Sequence, residues 1–283
     1  MIEAGRVSIV IPAFEEEQGI APVVARVLET QPWREVLVVD DGSSDRTGEL
    51  AAAAGARVVR HPYNKGNGAA VKTGIRAAQG EFVLLMDADG QHDPADIAGL
   101  LEPLGSHDMV IGARSAQDQS PTRALGNWIF TRLASWLTGR PIPDLTSGFR
   151  AARRERLVEI LHLLPNGFSY PTTSCLAFLK AGHNVAFVPI RAHRRVGKSK
   201  IRVLRDGTKF LLIILKIVTL YSPLRVFFPI ALASFGLGCA YASWNVYWYG
   251  KIPMGAGLLL QLAVVVFLFG LISEQIAAAQ ERR

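Results

Sequence analysis

Three polar side chains, Asp87, Asp89 and Gln91, stand at alternate positions directly after an apolar run at residues 82–86. A short uninterrupted apolar run is typical of a strand buried on both faces of a parallel sheet. Ligands of open α/β sheets bind beyond the carboxyl ends of the strands, which is where these side chains are expected. Their oxygen atoms suit Mg²⁺ or Mn²⁺, because such an ion keeps several waters and needs only one or two protein carboxylates. The alternative is an acidic surface turn, but the strand before Asp87 and the amide of Gln91 favour a metal site.

The elements that would position these side chains alternate along the first 90 residues. Apolar runs predict strands at residues 7–12, 35–40 and 57–60, and a helical pattern follows each of them. Strands that alternate with helices of this length indicate an α/β fold with a mostly parallel sheet wound by right-handed crossovers.

Two features of the loops in this region can contact a nucleotide. Asp40 and Asp41 end the second predicted strand, and carboxylates there can accept hydrogen bonds from a ribose hydroxyl or a base N–H. The glycine-rich residues 64–68 open a helix, where exposed backbone N–H groups favour an anion. This stretch matches neither a Walker loop nor GxGxxG, so a plain helix cap explains it at least as well.

The composition of the chain changes after about residue 200, where charges thin out. Residues 224–247 carry no charge after Arg225, and residues 254–273 carry none. Each run is close to the roughly 20 residues that a membrane-spanning helix needs, which favours two spans over two buried core helices. The N-terminus lacks a basic start followed by a long apolar core, so we expect no signal peptide.

Basic residues are placed asymmetrically around the two apolar runs. Only Lys251 lies between the runs, whereas their flanks carry Arg202, Arg205, Lys209, Lys216, Arg225, Arg282 and Arg283. The positive-inside rule therefore places both termini in the cytoplasm, on a multi-pass protein of the plasma membrane. The net charge of +7 is concentrated after Arg191, which favours anionic lipid over nucleic acid as a partner. Two cysteines argue against a disulfide framework and fit a reducing compartment.

The segment before the first apolar run is amphipathic. In residues 201–221 polar side chains fall on one helical face and apolar side chains on the other. Such a helix lies in the membrane interface and can seat a catalytic domain at headgroup level; a helix packed on that domain is the alternative. A second apolar stripe is typical of a core helix and also fits the border of a lipid entry: Trp128, Ile129, Leu133, Trp136 and Leu137.

Six segments occur in the order found in family 2 glycosyltransferases of the GT-A fold: VSIVIPAFEEE, VLVVDDGSSDRT, NKGNGAAVKTGI, FVLLMDADGQHDP, VIGAR and DLTSGFRA. Over residues 5–205 the chain resembles polyprenyl-phosphate sugar synthases, such as dolichyl-phosphate mannose synthase and its bacterial undecaprenyl-phosphate relatives. Together, the resemblance, the amphipathic segment and the two apolar runs predict a GT-A catalytic domain at residues 1–200, a juxtamembrane interfacial helix at 201–222 and an anchor of two transmembrane helices at 223–283. The resemblance implies inverting transfer of a sugar from a UDP- or GDP-sugar to a polyprenyl monophosphate with Mg²⁺ or Mn²⁺, and it leaves open whether the chain forms a homo-oligomer.

The resemblance also assigns roles to individual residues. The positions implied to contact the donor nucleotide are Pro12, Phe14, Glu16, Asp40, Asp41, Asp87 and Ala88. The implied metal and diphosphate site consists of Asp87, Asp89 and Gln91. The implied catalytic residues are Asp89, Arg114, which faces the acceptor phosphate, and Arg194 and Lys200 in a basic loop that closes over the phosphates.

Two departures from the family pattern bear on substrate choice. Glu15 stands where relatives usually carry Asn, next to the implied ribose contacts. Thr172 and Thr173 stand where relatives often carry acidic residues, in a segment that borders the sugar. The resemblance therefore does not identify the sugar.

The implied chemistry needs no strong general base. A phosphomonoester acceptor is already ionised at neutral pH, because its second pKa is about 6. The reaction instead needs a metal ion against the departing diphosphate and cations that hold two anionic partners together. His92 adjoins the metal turn, but a structural role fits it better than that of a base.

Three other functions compete with transfer to a lipid phosphate. A processive polysaccharide synthase shares the GT-A motifs, but its QxxRW motif does not occur in the sequence, and two spans cannot line a polymer channel unaided. A membrane scaffold with a decayed transferase domain would not need intact Asp87, Asp89, Arg114 and Lys200. A nucleotidyltransferase would need a phosphate signature that the glycine-rich loop lacks.

The expected orientation can be tested by labelling. A single cysteine introduced at Gly250 should react with a membrane-impermeant thiol reagent added to intact cells, and one at Gln280 should not, in a background that lacks Cys175 and Cys239. Reversed labelling would overturn both the orientation and the use of a cytoplasmic donor.

Overall fold

The computed structural model of the chain describes residues 2–114, 121–167, 169–191 and 222–281. The chain divides into two compact units, Met1–Val203 and Leu204–Arg283. The predicted interfacial helix lies outside the described residues. The division into three parts, at residues 200 and 222, therefore stays a prediction.

The described part of the first unit is built on one mixed sheet. Its strands are β1 Val7–Ala13, β2 Glu35–Asp40, β3 Arg57–Arg60, β4 Phe82–Leu85, β5 Met109–Arg114, β6 Arg150–Arg153 and β7 Val185–Ile190. They lie in the order β3-β2-β1-β4-β6-β5-β7. β6 is antiparallel to both of its neighbours, and the other pairings are parallel. The predicted α/β class with a mostly parallel sheet is confirmed.

Helices connect most of these strands. They are α1 Ile20–Thr30, α2 Thr47–Ala53, α3 Asn67–Ala77, α4 Ile97–Leu101, α5 Pro121–Thr138, α6 Arg154–Glu159 and α7 Tyr170–Lys180. Short 3-10 turns occur at Ala4–Arg6, Pro94–Asp96 and Glu102–Gly105. The strand expected at residues 82–86 ends one residue earlier, although the N–H of Met86 still donates to the carbonyl of Val10 at 3.1 Å.

The two central strands, β1 and β4, are buried along their whole length. Ile9, Ile11 and Leu84 have no exposed surface, and Ile20 and Val24 of α1 are equally buried in the same core. Full burial of such a side chain contributes about 1.5–3 kcal/mol relative to leaving it exposed. Because both faces of these strands are covered, their sequences are apolar runs without alternation.

The apolar stripe of α5 is divided between core and surface. Leu137 is buried, whereas the indoles of Trp128 and Trp136 are 60% and 48% exposed. Of the two alternatives for this stripe, burial in a core does not apply to these two tryptophans. An exposed pair of indoles remains compatible with the border of a lipid entry, since tryptophan is favoured at membrane interfaces.

At the glycine-rich start of α3, backbone N–H groups already have acceptors within the protein. The N–H groups of Gly68 and Ala69 donate to the carbonyls of Gly167 and Asn166, at 3.2 and 2.8 Å. Gly68 permits this contact, because a Cβ there would lie only 2.0 Å from the carbonyl oxygen of Pro165. The helix-cap interpretation of this stretch is confirmed, and these amides are not open to an anion.

The described part of the second unit is a hairpin of two long helices, α8 Pro223–Tyr249 and α9 Met254–Glu281. Gly250 caps α8 directly after Tyr249. Its φ of 63° is a left-handed conformation that glycine adopts without a steric cost. Both helices are long and apolar enough to cross a membrane. The two predicted spans thus correspond to continuous helices that extend beyond the uncharged runs.

Close packing and one polar contact join the two helices of the hairpin. A Cβ on Gly270 would lie 2.8 Å from the Cβ of Phe227, so the small residue allows the close approach typical of membrane helices. The carboxylate of Glu274 accepts a hydrogen bond from the N–H of Leu224 at 3.0 Å. This contact satisfies one of the first-turn N–H groups of α8 that lack a partner within the helix.

The tight contact at Gly68 can be tested against a matched glycine. We expect Gly68→Ala to destabilise the protein by about 2 kcal/mol or more, because backbone rather than a side chain must give way. The midpoint of thermal unfolding should fall by about 4 °C or more. Gly99→Ala is the control, since a Cβ at Gly99 meets open space within a helix and should be neutral or stabilising. Equal midpoints for the two variants would contradict the packing.

Candidate active site

The carboxyl ends of the six parallel strands and the start of β6 lie at one edge of the described sheet. Because β6 runs antiparallel between β4 and β5, the residues that precede it reach the edge where those two strands end. Arg150, the first residue of β6, pairs with Leu85 on one side and Ile111 on the other. The segment at residues 144–149 is therefore placed beside the turn that follows β4.

Asp87 and Asp89 lie on that turn, and both side chains are half-buried. The Oδ1 atom of Asp89 accepts from the N–H of Gln91 at 3.2 Å, and Gly90 between them has a φ of 71°. Gly148 forms the wall opposite Asp87, where an added Cβ would lie 2.6 and 2.9 Å from the two carboxylate oxygens. The absence of a side chain at residue 148 therefore makes room for the Asp87 carboxylate.

The donor set of this turn fits a hard divalent cation. It offers two carboxylates and one amide oxygen, and a small cation such as Mg²⁺ binds through one or two carboxylates together with substrate phosphates and water. No group of three or more His, Cys, Asp or Glu side chains that could enclose a metal occurs among the described residues. With two carboxylates and one amide oxygen, the turn suits an ion shared with a bound diphosphate.

Arg114 lies at the end of β5 and forms a bidentate pair with Asp144. Nε donates to Oδ2 at 2.8 Å and Nη2 to Oδ1 at 3.2 Å, and Nη2 also donates to Oγ1 of Thr146 at 2.8 Å. Burial alone would lower the pKa of Arg114, but the hydrogen bond and charge of Asp144, with the charges of Asp87 and Asp89, raise it. The charges of the acidic turn thus act on Arg114, while its contact with an acceptor phosphate stays a prediction.

Asp144 is a site residue that the sequence analysis missed. Its side chain has no exposed surface, and although burial favours the neutral form, Arg114 holds the pKa of the carboxyl below its usual 3.8. The sequence does indicate Asp144 in one way, because it is the first residue of DLTSGFRA, one of the six family segments. Asp144 fixes the direction in which the Arg114 guanidinium points.

Arg150 is a second buried cation, behind the turn. Its guanidinium donates to the carbonyls of Ser147 and Pro171, at 3.1 and 2.6 Å, and to Oγ of Ser174 at 2.7 Å. Burial lowers its pKa, while the charges of nearby groups act in the opposite direction. The hydroxyl of Ser147 is buried with no partner among the described residues. Arg150 therefore ties the wall around Gly148 to the start of α7.

His92 supports the turn rather than acting as a base, which agrees with the sequence analysis. Its ring stacks on Phe149, with centroids 4.8 Å apart, and Nδ1 accepts from the N–H of Asp87 at 3.4 Å. Burial, with the charge of Arg114, lowers the pKa of His92 to about 4 against the opposing charge of Asp89. The imidazole is therefore neutral at neutral pH.

The residues assigned to the nucleotide lie at the ends of β1, β2 and β4. Pro12 and Ala88 are buried, while Phe14 and Glu16 are half-buried. The N–H of Glu16 donates to Oγ1 of Thr47 at 2.9 Å. These positions share the sheet edge with the acidic turn, and their contacts with a nucleotide stay predictions.

Asp40 and Asp41 are both buried and both hold neighbouring loops. Oδ1 of Asp40 accepts from the N–H of Ser43 at 2.9 Å, and Oδ2 lies 3.3 Å from Nε of Arg60. Asp41 accepts from three donors, among them the N–H of Gly66 at 2.8 Å. In the described structure both carboxylates therefore organise the loops that surround the expected nucleotide.

Glu15 occupies a backbone position that explains the family preference for asparagine. Its φ is 55°, in the left-handed region that Asn tolerates better than Glu. The carboxylate of Glu15 accepts from the N–H and the hydroxyl of Ser44, at 2.9 and 2.7 Å. The longer side chain thus anchors the loop after β2.

Two of the remaining assigned residues, Arg194 and Lys200, lie outside the described residues. Thr172 is buried in the first turn of α7, and the hydroxyl of Thr173 donates to the carbonyl of Ser169 at 3.2 Å. In the structure Thr173 thus contributes to the start of α7, and the structure does not indicate which sugar is bound.

Each of the two units matches a known protein family. Glycosyl transferase family 2 matches residues 8–161, and the GtrB C-terminal hairpin matches residues 222–279. The glycosyltransferase AglJ of Haloferax volcanii is 31% identical over 273 residues, which cover 93% of this chain and 89% of that protein. The polyprenol monophosphomannose synthase of Mycolicibacterium smegmatis is 34% identical over 218 residues, which cover 69% of this chain and 81% of that protein.

A solved structure shares the fold of the first unit. It is the glucosyl-3-phosphoglycerate synthase of Mycobacterium tuberculosis in complex with Mn²⁺, UDP-glucose and glycerol 3-phosphate, with a TM-score of 0.59 at 25% identity. The match covers 76% of this chain and 81% of that one. With the family match, it confirms the predicted GT-A fold.

The wall at Gly148 can be tested without disturbing the core. We expect Gly148→Ala to lower sugar-transfer turnover at least tenfold, about 1.4 kcal/mol, because the new methyl group displaces the Asp87 carboxylate. Since the displaced group is the end of a side chain, the thermal midpoint should stay close to that of Gly99→Ala. Full activity in Gly148→Ala would mean that the position of this carboxylate does not matter.

The buried pair of Arg114 and Asp144 predicts a stability effect with a defined pH dependence. Asp144→Asn should cost about 3–5 kcal/mol, because a partly buried guanidinium loses its counter-charge. The lowered pKa of Asp144 means that its contribution is fully present above pH 3.8 and is lost as pH falls through the folded-state value. Denaturant unfolding at pH 7 and at pH 3 should therefore show a gap between wild type and variant that narrows in acid. A gap of constant size would contradict the ion pair.

Proposed function

The chain belongs to glycosyl transferase family 2, and we propose that it transfers one sugar from a nucleoside-diphosphate sugar to a polyprenyl monophosphate. The M. smegmatis relative is named for its product, a polyprenol monophosphomannose, which supports a lipid phosphate as the acceptor. The family match of the two-helix hairpin supports a membrane protein. UDP and GDP are both compatible with the site residues.

One observation carries this proposal: the guanidinium of Arg114, held by Asp144, lies among the charges of Asp87 and Asp89. A transferase of this kind must bring two anionic substrates together, the donor diphosphate and the acceptor phosphate. The acidic turn is suited to a cation shared with the diphosphate, and the neighbouring guanidinium is suited to the second phosphate. The acidic turn and the Arg114 guanidinium are thus neighbours, as a site for a metal-bound diphosphate and a second phosphate requires.

The reaction is a displacement at the anomeric carbon. A phosphate oxygen of the acceptor attacks that carbon, the bond to the donor diphosphate breaks, and the bonding electron pair leaves with the diphosphate, so the configuration inverts. Asp87, Asp89 and Gln91 would hold Mg²⁺ or Mn²⁺, which when bound supplies the positive charge that stabilises the leaving diphosphate. Arg114 binds and orients the acceptor phosphate. No proton transfer is needed, because the acceptor is ionised at neutral pH.

The basic residues that flank the membrane hairpin favour the cytoplasmic face for the reaction. The catalytic unit precedes the first span, and the positive-inside rule favours cytoplasmic termini. Nucleotide sugars would then enter from the cytoplasm, while the lipid phosphate is presented at the membrane surface. This orientation is a proposal based on the distribution of Lys and Arg.

A transfer assay tests the proposed function. Purified full-length protein in detergent would be mixed with a short-chain polyprenyl phosphate, Mg²⁺ or Mn²⁺ and a panel of UDP- and GDP-sugars, with products identified by mass spectrometry. We expect one donor to add a single sugar, and Asp89→Ala to abolish the product while the protein stays folded. Growth of a polymer would favour a processive synthase, and no transfer from any donor would overturn the proposal.

The basic residues before the hairpin give a prediction from sequence. Arg194→Ala and Lys200→Ala should each lower turnover at least tenfold, about 1.4 kcal/mol, because their charges relieve repulsion between the two substrates. Arg202→Ala is the matched control two positions after Lys200, and it should have little effect. In detergent with a short-chain acceptor there are no anionic lipid headgroups for these residues to bind. If all three variants have wild-type turnover there, the basic residues serve only as a contact with the membrane surface.

A further inference from the structure

His61 is a buried histidine that the proposed mechanism does not use. Its Nδ1 atom lies 2.6 Å from Oδ1 of Asp41, and the two side chains are 5% and 3% exposed. The same carboxylate accepts from the N–H groups of Lys65 and Gly66, at 3.0 and 2.8 Å. His61 is thus one of three donors that hold Asp41.

The contact with Asp41 decides which nitrogen of His61 carries a proton. A carboxylate only accepts hydrogen bonds, so a proton is on Nδ1, which faces Asp41. In this tautomer Nε2 accepts from the hydroxyl of Thr73, whose Oγ1 atom lies 2.9 Å away. Thr73, His61 and Asp41 therefore form a chain in which each hydrogen bond is directed toward the carboxylate.

This chain of hydrogen bonds joins three elements of the fold. Asp41 follows β2, His61 follows β3, and Thr73 lies on α3. The N–H of His61 also donates to the carbonyl of Asp40 at 2.8 Å. Through Asp41 the chain reaches the loop at residues 63–66, whose backbone packs against Gly42, where a Cβ would lie 2.5 Å from the carbonyl carbon of Tyr63.

We propose that His61 is a positioning residue for the donor-nucleotide end of the site. It holds the Asp41 carboxylate, and with it the loop at residues 63–66, in the arrangement that binds the nucleoside diphosphate. This inference rests on the proposed function, which places the nucleotide at the ends of β1 and β2. A carboxylate has about four acceptor positions, and the donors among the described residues take three of them, which leaves one for a ligand.

Two amide substitutions separate the two nitrogens of His61. His61→Asn places an amide N–H near the position of Nδ1 and retains the hydrogen bond to Asp41. His61→Gln extends the amide toward the position of Nε2 and loses that hydrogen bond. Thr73→Val removes the hydroxyl with little change of shape and leaves the imidazole in place.

The test combines two readouts on the full-length protein in detergent. Hydrogen exchange of the backbone at Lys65 and Gly66 reports whether the loop is held, and calorimetry with UDP and GDP in the presence of Mn²⁺ reports binding at the nucleotide end. We expect His61→Gln to speed exchange and to weaken diphosphate binding at least tenfold each, while His61→Asn stays within threefold of wild type. In transfer assays His61→Gln should raise the KM for the donor and leave kcat and the KM for the acceptor within twofold.

Each other outcome overturns a defined part of the inference. Unchanged exchange in His61→Gln overturns the positioning role, and faster exchange with unchanged binding overturns the link to the nucleotide. If wild type binds neither diphosphate, the donor site of the proposed function fails, and the link to the nucleotide fails with it. If His61→Gln does not fold, Thr73→Val replaces it, with at least threefold faster exchange expected and no change overturning the inference.

Discussion

The candidate site depends on the balance of charge where β4 and β5 end. The carboxylates of Asp87, Asp89 and Asp144 all act on the guanidinium of Arg114, and Arg150 adds a second buried cation. Two like charges 4 Å apart repel by about 4 kcal/mol at an effective dielectric constant of 20. Three carboxylates therefore gather at this edge only with cations nearby, and they still outnumber the two guanidinium groups. A divalent ion bound at the turn would offset this excess of negative charge.

The topology of the sheet makes the arrangement possible. An antiparallel β6 between β4 and β5 delivers the segment at residues 144–149 to the edge where the parallel strands end. Asp144 then meets Arg114, and Gly148 meets the carboxylate of Asp87. The reversed direction of β6 thus supplies both Asp144, which orients Arg114, and Gly148, which leaves room for the Asp87 carboxylate.

The sequence predicted the strands around the acidic turn, because a buried parallel strand is an apolar run whose end is marked by polar residues. It also placed Asp87 and Asp89 directly after a strand, whereas Arg114 was named only through the family resemblance; the roles of all three stay predictions. Contacts between distant segments could not be read in this way. The pairing of Asp144 with Arg114 spans 30 residues, and the carbonyls that cap α3 lie about a hundred residues further along the chain. The glycine-rich stretch looked open to an anion only because its acceptors were not visible in the local sequence.

The central claim is that the turn after β4 binds a divalent ion together with a nucleoside diphosphate. Electron paramagnetic resonance titration of Mn²⁺ into the full-length protein, with and without UDP or GDP, tests it most directly. The account predicts that one of the diphosphates tightens Mn²⁺ binding at least tenfold and that Asp89→Asn abolishes this gain. Asp93→Asn is the matched control, because Asp93 is on the same turn but pairs with Arg26 at 3.0 Å. Equal Mn²⁺ binding by wild type and Asp89→Asn in the presence of diphosphate would contradict the account.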